Sequence, residues 1–185
     1  MKKSEFNILL FLGLYFLLKE GFYGYVGLTT PGGKLSSVFL TRYANFPYWF
    51  TVVVTKCSKF LLEVCGYAVY QLDAANVTIK GARGVTLAWG CLGIGALSLW
   101  MAFIIAHRTT IKYKLRWIII GVVLIFIVNI LRIDMIALSN YYHWQYFQHF
   151  NAHTSFDLLT YLVILIMMLV FVLNYNKKKV RIDNA

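Results

Sequence analysis

Charged residues are scarce in this chain of 185 residues: they make up 14% of it, and only seven are acidic against 18 basic. A soluble domain carries about a quarter charged residues, so this composition does not supply an ordinary water-facing surface. The three cysteines and four histidines include no CxxC pair and no paired-His spacing. A metal or haem site is left with His143 and His149, in the aromatic-rich stretch "NYYHWQYFQHFNAH", as its only pointers. No basic-aromatic stripe is present, which argues against a nucleic-acid partner despite the net charge of +11. No internal repeat or low-complexity linker divides the chain, so residues 1–185 read as one domain.

Apolar residues are abundant, at 60% of the chain. A membrane span needs about 20 of them in sequence. Three runs qualify: "LAWGCLGIGALSLWMAFIIA" (87–106), "WIIIGVVLIFIVNILRIDMIAL" (117–138) and "SFDLLTYLVILIMMLVFVLN" (155–174). A fourth, about 5–28, is interrupted by Lys19-Glu20. It begins like a signal peptide, but no small-x-small cleavage site follows closely, so it reads as a retained anchor. Residues 47–71 are long enough for a fifth span but carry Thr51, Thr55, Ser58, Lys59 and Glu63 at steps of mostly three and four. That spacing makes one polar stripe on a helix, the pattern of an amphipathic helix lying in the interface plane, apolar side down. Between it and the next span, Val77, Ile79, Val85 and Leu87 alternate around Gly81 and Gly84, as in a short hairpin or extended loop.

Orientation follows from the basic residues. "HRTTIKYKLR" (107–116), the tail "NYNKKKVR" and the Lys2-Lys3 start all belong in the cytoplasm by the positive-inside rule. Both termini inside require an even number of spans. The expected fold is therefore an all-α integral membrane protein: a compact bundle of about four transmembrane helices plus an outer interfacial amphipathic helix at 47–71. It sits in the cell membrane as a multi-pass protein with cytoplasmic termini, and membrane lipids surround it.

This topology brings distant residues to one depth. Cys91 stands about 6 Å below the outer edge on the second span. Arg132 lies about 22 Å along the third span, roughly 8 Å from the outer edge of a core about 30 Å thick. His153 is at the mouth of the fourth. An intramembrane Arg is a functional-site hypothesis by default; for Arg132 the competing reading is snorkelling to the outer headgroups. Cys91 alone reads as packing, since Gly90, Gly93 and Gly95 suit close helix contact. The three together suit acyl transfer. A thiolate attacks a carbonyl and a nearby cation favours that form. An imidazole takes and returns the proton, and an Arg stabilises the oxyanion in a dry site. Asn129 lies one turn before Arg132. Asp157, four after His153, either orients the imidazole or is an ordinary helix-start charge. His149 competes with His153 for the acid/base role. Cys57 and Cys65 are eight apart on one predicted helix, too far for a disulfide within it.

The stretches "GCLGI" (90–94), "NILRI" (129–133) and "AHTSFDLLTYLVI" (152–164) resemble the Cys, Arg and His motifs of exosortases and archaeosortases. The resemblance covers about residues 45 to 175 in order and spacing. One departure is Leu92, where many relatives have Ser or Asn after the Cys. The resemblance implies an integral membrane transpeptidase that processes C-terminal sorting signals of exported, anchored proteins. Cys91 would be its nucleophile, Arg132 its essential Arg and His153 its acid/base. No cofactor is expected; the partners would be substrates with a sorting signal and a hydrophobic anchor, and the site would face the extracytoplasmic side. The alternative class is a non-catalytic membrane transporter or assembly subunit in which Arg132 is a structural charge.

Overall fold

The computed structural model of the protein describes residues 6–31, 36–144 and 152–183, with side chains described as far as Trp144 and again over 158–177. Its helices are α1 (Ile8–Thr29), α2 (Val38–Tyr43), α3 (Phe46–Val64), α4 (Ile94–Ala106), α5 (Ile111–Tyr141) and α6 (Ala152–Asp183). Three short strands, β1 (Val69–Tyr70), β2 (Asn76–Ile79) and β3 (Val85–Thr86), and a 3-10 turn at Trp89–Leu92 separate α3 from α4. The protein is an all-helical membrane protein with a small antiparallel sheet, in the order β1-β2-β3, added to it. The expected hairpin is its β2–β3 pair, with Val77 opposite Val85.

Three helical stretches are long and apolar enough to cross a bilayer: Ile8–Thr29, Ile111–Tyr141 and Leu158–Lys177 of α6. Large apolar side chains stand exposed along all three, among them Leu9, Leu17, Ile119, Val123, Leu165 and Leu169. In water such a surface would be unstable; in lipid it is the solvated face.

α4 lies among them. It has 13 residues, so it is about 20 Å long, shorter than a bilayer core. Ile94, Ala96, Trp100, Ala102 and Ile104 are all buried, as expected of a helix apolar all round. α1 runs antiparallel to it, with Phe6 bridging His107 and the Asn7 N–H donating to the Ala106 carbonyl at 3.3 Å. α5 also runs antiparallel to it. Trp100 fits against Gly121, where a Cβ would stand 1.8 Å from the indole nitrogen, and that nitrogen donates to the Trp117 carbonyl at 3.1 Å. The lower part of the bundle is an apolar cluster of Ala96, Trp100, Ile104, Ile125, Ile164, Met167 and Phe171. A second cluster joins α3, the sheet and the C-terminal half of α5 through Val54, Leu62, Val77, Ile79, Val85, Ile130 and Ile133.

One sequence boundary is corrected. The helix expected to run to residue 71 ends at Val64. Gly66 has φ 91°, its N–H donates to Glu63 O at 2.9 Å, and the Tyr67 N–H donates to Leu62 O at 3.1 Å. Together these form a Schellman stop, which a left-handed glycine makes easy. α3 packs against α5 and the sheet. Phe50 meets Phe126 at 5.9 Å, Ser58 donates to Asp134, and Tyr67 meets Tyr142 at 2.8 Å between hydroxyls. These contacts seat α3 and the turn after it on the C-terminal half of α5. The Thr51, Thr55 and Ser58 part of its polar stripe is buried against the protein, while Trp49, Val53, Phe60 and Val64 are exposed.

Candidate active site

The predicted span at 87–106 is not one continuous helix. Residues 89–92 form a 3-10 turn, Gly93 adopts φ 72°, and α4 begins at Ile94. Cys91 therefore sits on a non-helical turn just ahead of a helix start. Within a bilayer, irregular backbone is tolerated where protein buries it or where it lines a cavity. Both apply here. Leu92 is buried, the Cys91 N–H donates to Ala88 O at 2.8 Å, and Gly90 and Gly93 on either side of the Cys91-Leu92 pair line a cavity. Cys57, Cys65 and Cys91 are all thiols, and Cys91 is half-buried.

The cavity has a volume of about 200 Å³. Its other walls come from α5, through Ile125, Asn129 and Arg132, from α6, through Thr160 and Tyr161, and from α1, through Lys19 and Tyr23. α5 brings Asn129 against the turn: a Cβ at Gly93 would touch the Asn129 side chain at 3.7 Å. α6 closes the other side, where a Cβ at Gly95 would stand 3.5 Å from the Tyr161 hydroxyl.

Arg132 is only 7% exposed. It lines this cavity and also a second one of about 130 Å³ between α5 and α6, with Leu159, Thr160 and Val163. Its surroundings are protein, which removes snorkelling as the account of this residue. Asn129 is 4% exposed, and its amide nitrogen is a buried donor with no acceptor among the described residues. An unmet buried donor costs free energy unless a ligand or water meets it.

The structure brings the Cys91 turn, Asn129 and Arg132 to one cavity. Position 153 is in the first turn of α6, two turns before Thr160. The side chains of His153 and Asp157, and all of His149, lie outside the described residues.

Three features were not singled out from the sequence. Lys19 and Tyr23 reach the site from α1, which read only as an anchor; the signal was a lysine inside an apolar run. Tyr161 lies within the α6 motif and the apolar run at 155–174, with no spacing signal of its own. Asp134, two residues after Arg132, is buried and accepts from Ser58 on α3, while its second oxygen has no partner among the described residues.

Comparison with known proteins agrees with this architecture. The family model described as transmembrane exosortase (Exosortase_EpsH) matches residues 8–170. No curated protein and no solved structure matches the chain. The match runs from the first turn of α1 to Val170 of α6, through every element that lines the cavity, and on it the chain belongs to the transmembrane exosortase family.

Proposed function

We propose that this exosortase is a cysteine transpeptidase that cleaves a C-terminal sorting signal from exported, membrane-anchored proteins, with Cys91 as nucleophile. His153 takes the thiol proton of Cys91 as Sγ attacks the carbonyl carbon of the scissile peptide bond. The negative charge passes to the carbonyl oxygen, where Arg132 and the Asn129 amide stabilise it. The C–N bond breaks, His153 delivers a proton to the leaving amine, and a thioester remains on Cys91. An amine, or water, then attacks the thioester, and the proton returns so that the thiol is regenerated. Asp157 or His149 orients or replaces His153 in the proton step.

The observation that carries this reading is the broken helix. A cysteine on a non-helical turn, beside a cavity that holds a buried Arg and an unmet amide donor, is costly to build for packing alone. The donor set also matches the charge that an acyl transfer develops. The substrate enters with its own hydrophobic anchor, because the cavity lies among helices whose outer faces are apolar. α4 completes a fourth crossing together with the irregular segment before it. The termini and residues 107–116 are cytoplasmic, the sheet is external, and the membrane is the cell membrane.

The experiment is co-expression with a verified anchored substrate. Cys91→Ala is expected to abolish processing while leaving the protein folded, since it removes one half-buried thiol. Normal processing by Cys91→Ala would remove the nucleophile assignment.

A further inference from the structure

The sheet carries two cations that the reaction cavity does not use. β2 and β3 are joined by a tight turn: the Ala82 N–H donates to Ile79 O at 3.0 Å, and Gly81 has φ 86°. A turn with that bond and a left-handed third residue leaves its second residue, Lys80, on the outside. Lys80 is exposed, and so is Arg83 just after the turn. The described ion pairs are Lys19–Glu20 and Lys59–Glu63, so neither Lys80 nor Arg83 has a carboxylate partner among the described residues.

Hydrogen bonds hold this turn at a definite level of the bundle. The Asn140 amide donates to Arg83 O at 3.2 Å, and the Lys80 N–H donates to Ala68 O at 2.8 Å, next to Tyr67. Tyr67 meets Tyr142 at 2.8 Å between hydroxyls and Tyr141 at 5.6 Å between ring centroids, and Tyr142 stacks on Trp144 at 5.9 Å. Tyr141, Tyr142 and Trp144 are nonetheless exposed. Tyr141 lies about 36 Å along α5 from Trp117, on one unbroken helix. A hydrocarbon core is about 30 Å thick, and Trp and Tyr gather at its two edges. The aromatic cluster therefore stands at one edge of the core, and Lys80 and Arg83 stand with it at the level of the lipid headgroups.

We propose that the β2–β3 turn is a headgroup site for an anionic phospholipid, with Lys80 and Arg83 on its phosphate and the exposed rings of Tyr142 and Trp144 beside its glycerol region. Charge complementarity asks for an anion, since two cations without carboxylates share one turn. A guanidinium can also hold a phosphate through two parallel N–H donors. The level selects a lipid phosphate over a soluble acidic polymer. Exposed rings with an apolar body and a polar tip suit the boundary of a bilayer, where one side is apolar and the other wet. On the proposed orientation this is the outer leaflet. The site pins the C-terminal end of α5 to the interface, and it does not depend on which residue is the nucleophile.

A local photo-crosslink reads the lipid at this turn. The full chain carrying Trp144→benzoylphenylalanine, an aromatic replacement at an exposed position, is placed in nanodiscs of equal parts phosphatidylcholine and phosphatidylglycerol and irradiated. Lipid adducts on the peptide containing position 144 are then identified by mass spectrometry. Phosphatidylglycerol is expected to exceed phosphatidylcholine in the adduct about fivefold or more, the preference that one cation near a membrane surface supplies. Lys80→Gln with Arg83→Gln should return the adduct to the bulk ratio, whereas Lys80→Arg with Arg83→Lys should keep the preference. Lys112→Gln, at the other end of α5, should leave it unchanged. Both side chains of the pair are exposed, so the neutral variant is expected to melt at the wild-type temperature. An adduct at the bulk ratio in the wild type would overturn the site. A preference that survives the loss of both cations would remove Lys80 and Arg83 from it. A bulk adduct ratio together with binding of dextran sulfate to phosphatidylcholine nanodiscs that requires Lys80 and Arg83 would assign the pair to a soluble acidic polymer and overturn the lipid.

Discussion

Single residues shape the turn that carries Cys91. Gly93 lets the chain leave the 3-10 turn and enter α4 with a positive φ, which costs an L side chain roughly 1–2 kcal/mol. Gly93→Ala is expected to reduce processing strongly with a fall in stability of only about 1–2 kcal/mol, because the strain re-aims Cys91 rather than unfolding the bundle. A thermal melt and a processing assay on the same preparation check this; normal activity would show that the turn does not set the aim of Cys91. Arg132→Lys is expected to lose most activity, since a compact ammonium cannot reproduce two parallel guanidinium donors. Gly121→Ala acts away from the site. A Cβ there would fall on the Trp100 indole, so overpacking of about 1–3 kcal/mol is expected, visible as a lower melting temperature with KM unchanged.

At the scale of elements, the apolar runs were legible because lipid demands them, and the helices α1, α5 and α6 fall within or around them. The break before α4 was not legible. Gly90, Gly93 and Gly95 serve a close helix contact and a turn equally well in sequence, and only packing against Asn129 and Tyr161 decides between them. The face that α3 buries was hidden for a similar reason. A polar stripe was read as facing away from the buried side. Yet Thr51 donates to Pro47 O at 2.9 Å and Thr55 to Thr51 O at 3.0 Å, so these hydroxyls are satisfied within their own helix and can be buried. The Thr55 hydroxyl also lies 3.0 Å from Ala74 O, an alternative acceptor, and Ser58 donates to Asp134, which ties the loop before β2 and α5 to α3. Ser58→Ala removes the hydrogen bond to a buried carboxyl and is expected to cost about 1–3 kcal/mol. In a double-mutant cycle with Asp134→Asn the two losses should not add; additive losses would show that the pair does not couple α3 to α5.

For the whole molecule, two basic groups lie at opposite ends of α5. Lys112 and Lys114 are in its first turns, with the Lys114 ammonium on the Ile105 carbonyl at 2.7 Å. At the other end the sheet carries Lys80 and Arg83, and Asn140 donates to the Arg83 carbonyl at 3.2 Å. The positive-inside rule favours the first end, because its basic residues sit in a short connection between spans. Cysteines introduced at 72–86 should therefore be labelled by a membrane-impermeant reagent from outside the cell, and those at 107–116 should not. The reverse pattern would invert the topology and move the cavity to the cytoplasmic side. On the proposed orientation the Cys91 turn and Arg132 would lie in the outer part of the bundle.

The central claim is that Cys91 carries the substrate as a thioester, and one measurement addresses it directly. Membranes expressing the wild type with a verified anchored substrate are quenched with acid and examined by intact-protein and peptide mass spectrometry. The account predicts a substrate-derived acyl group on the peptide containing Cys91, released by neutral hydroxylamine and absent from Cys91→Ala, whose substrate stays uncleaved. Cleaved substrate of normal yield from Cys91→Ala, with no adduct at that peptide in the wild type, would contradict it.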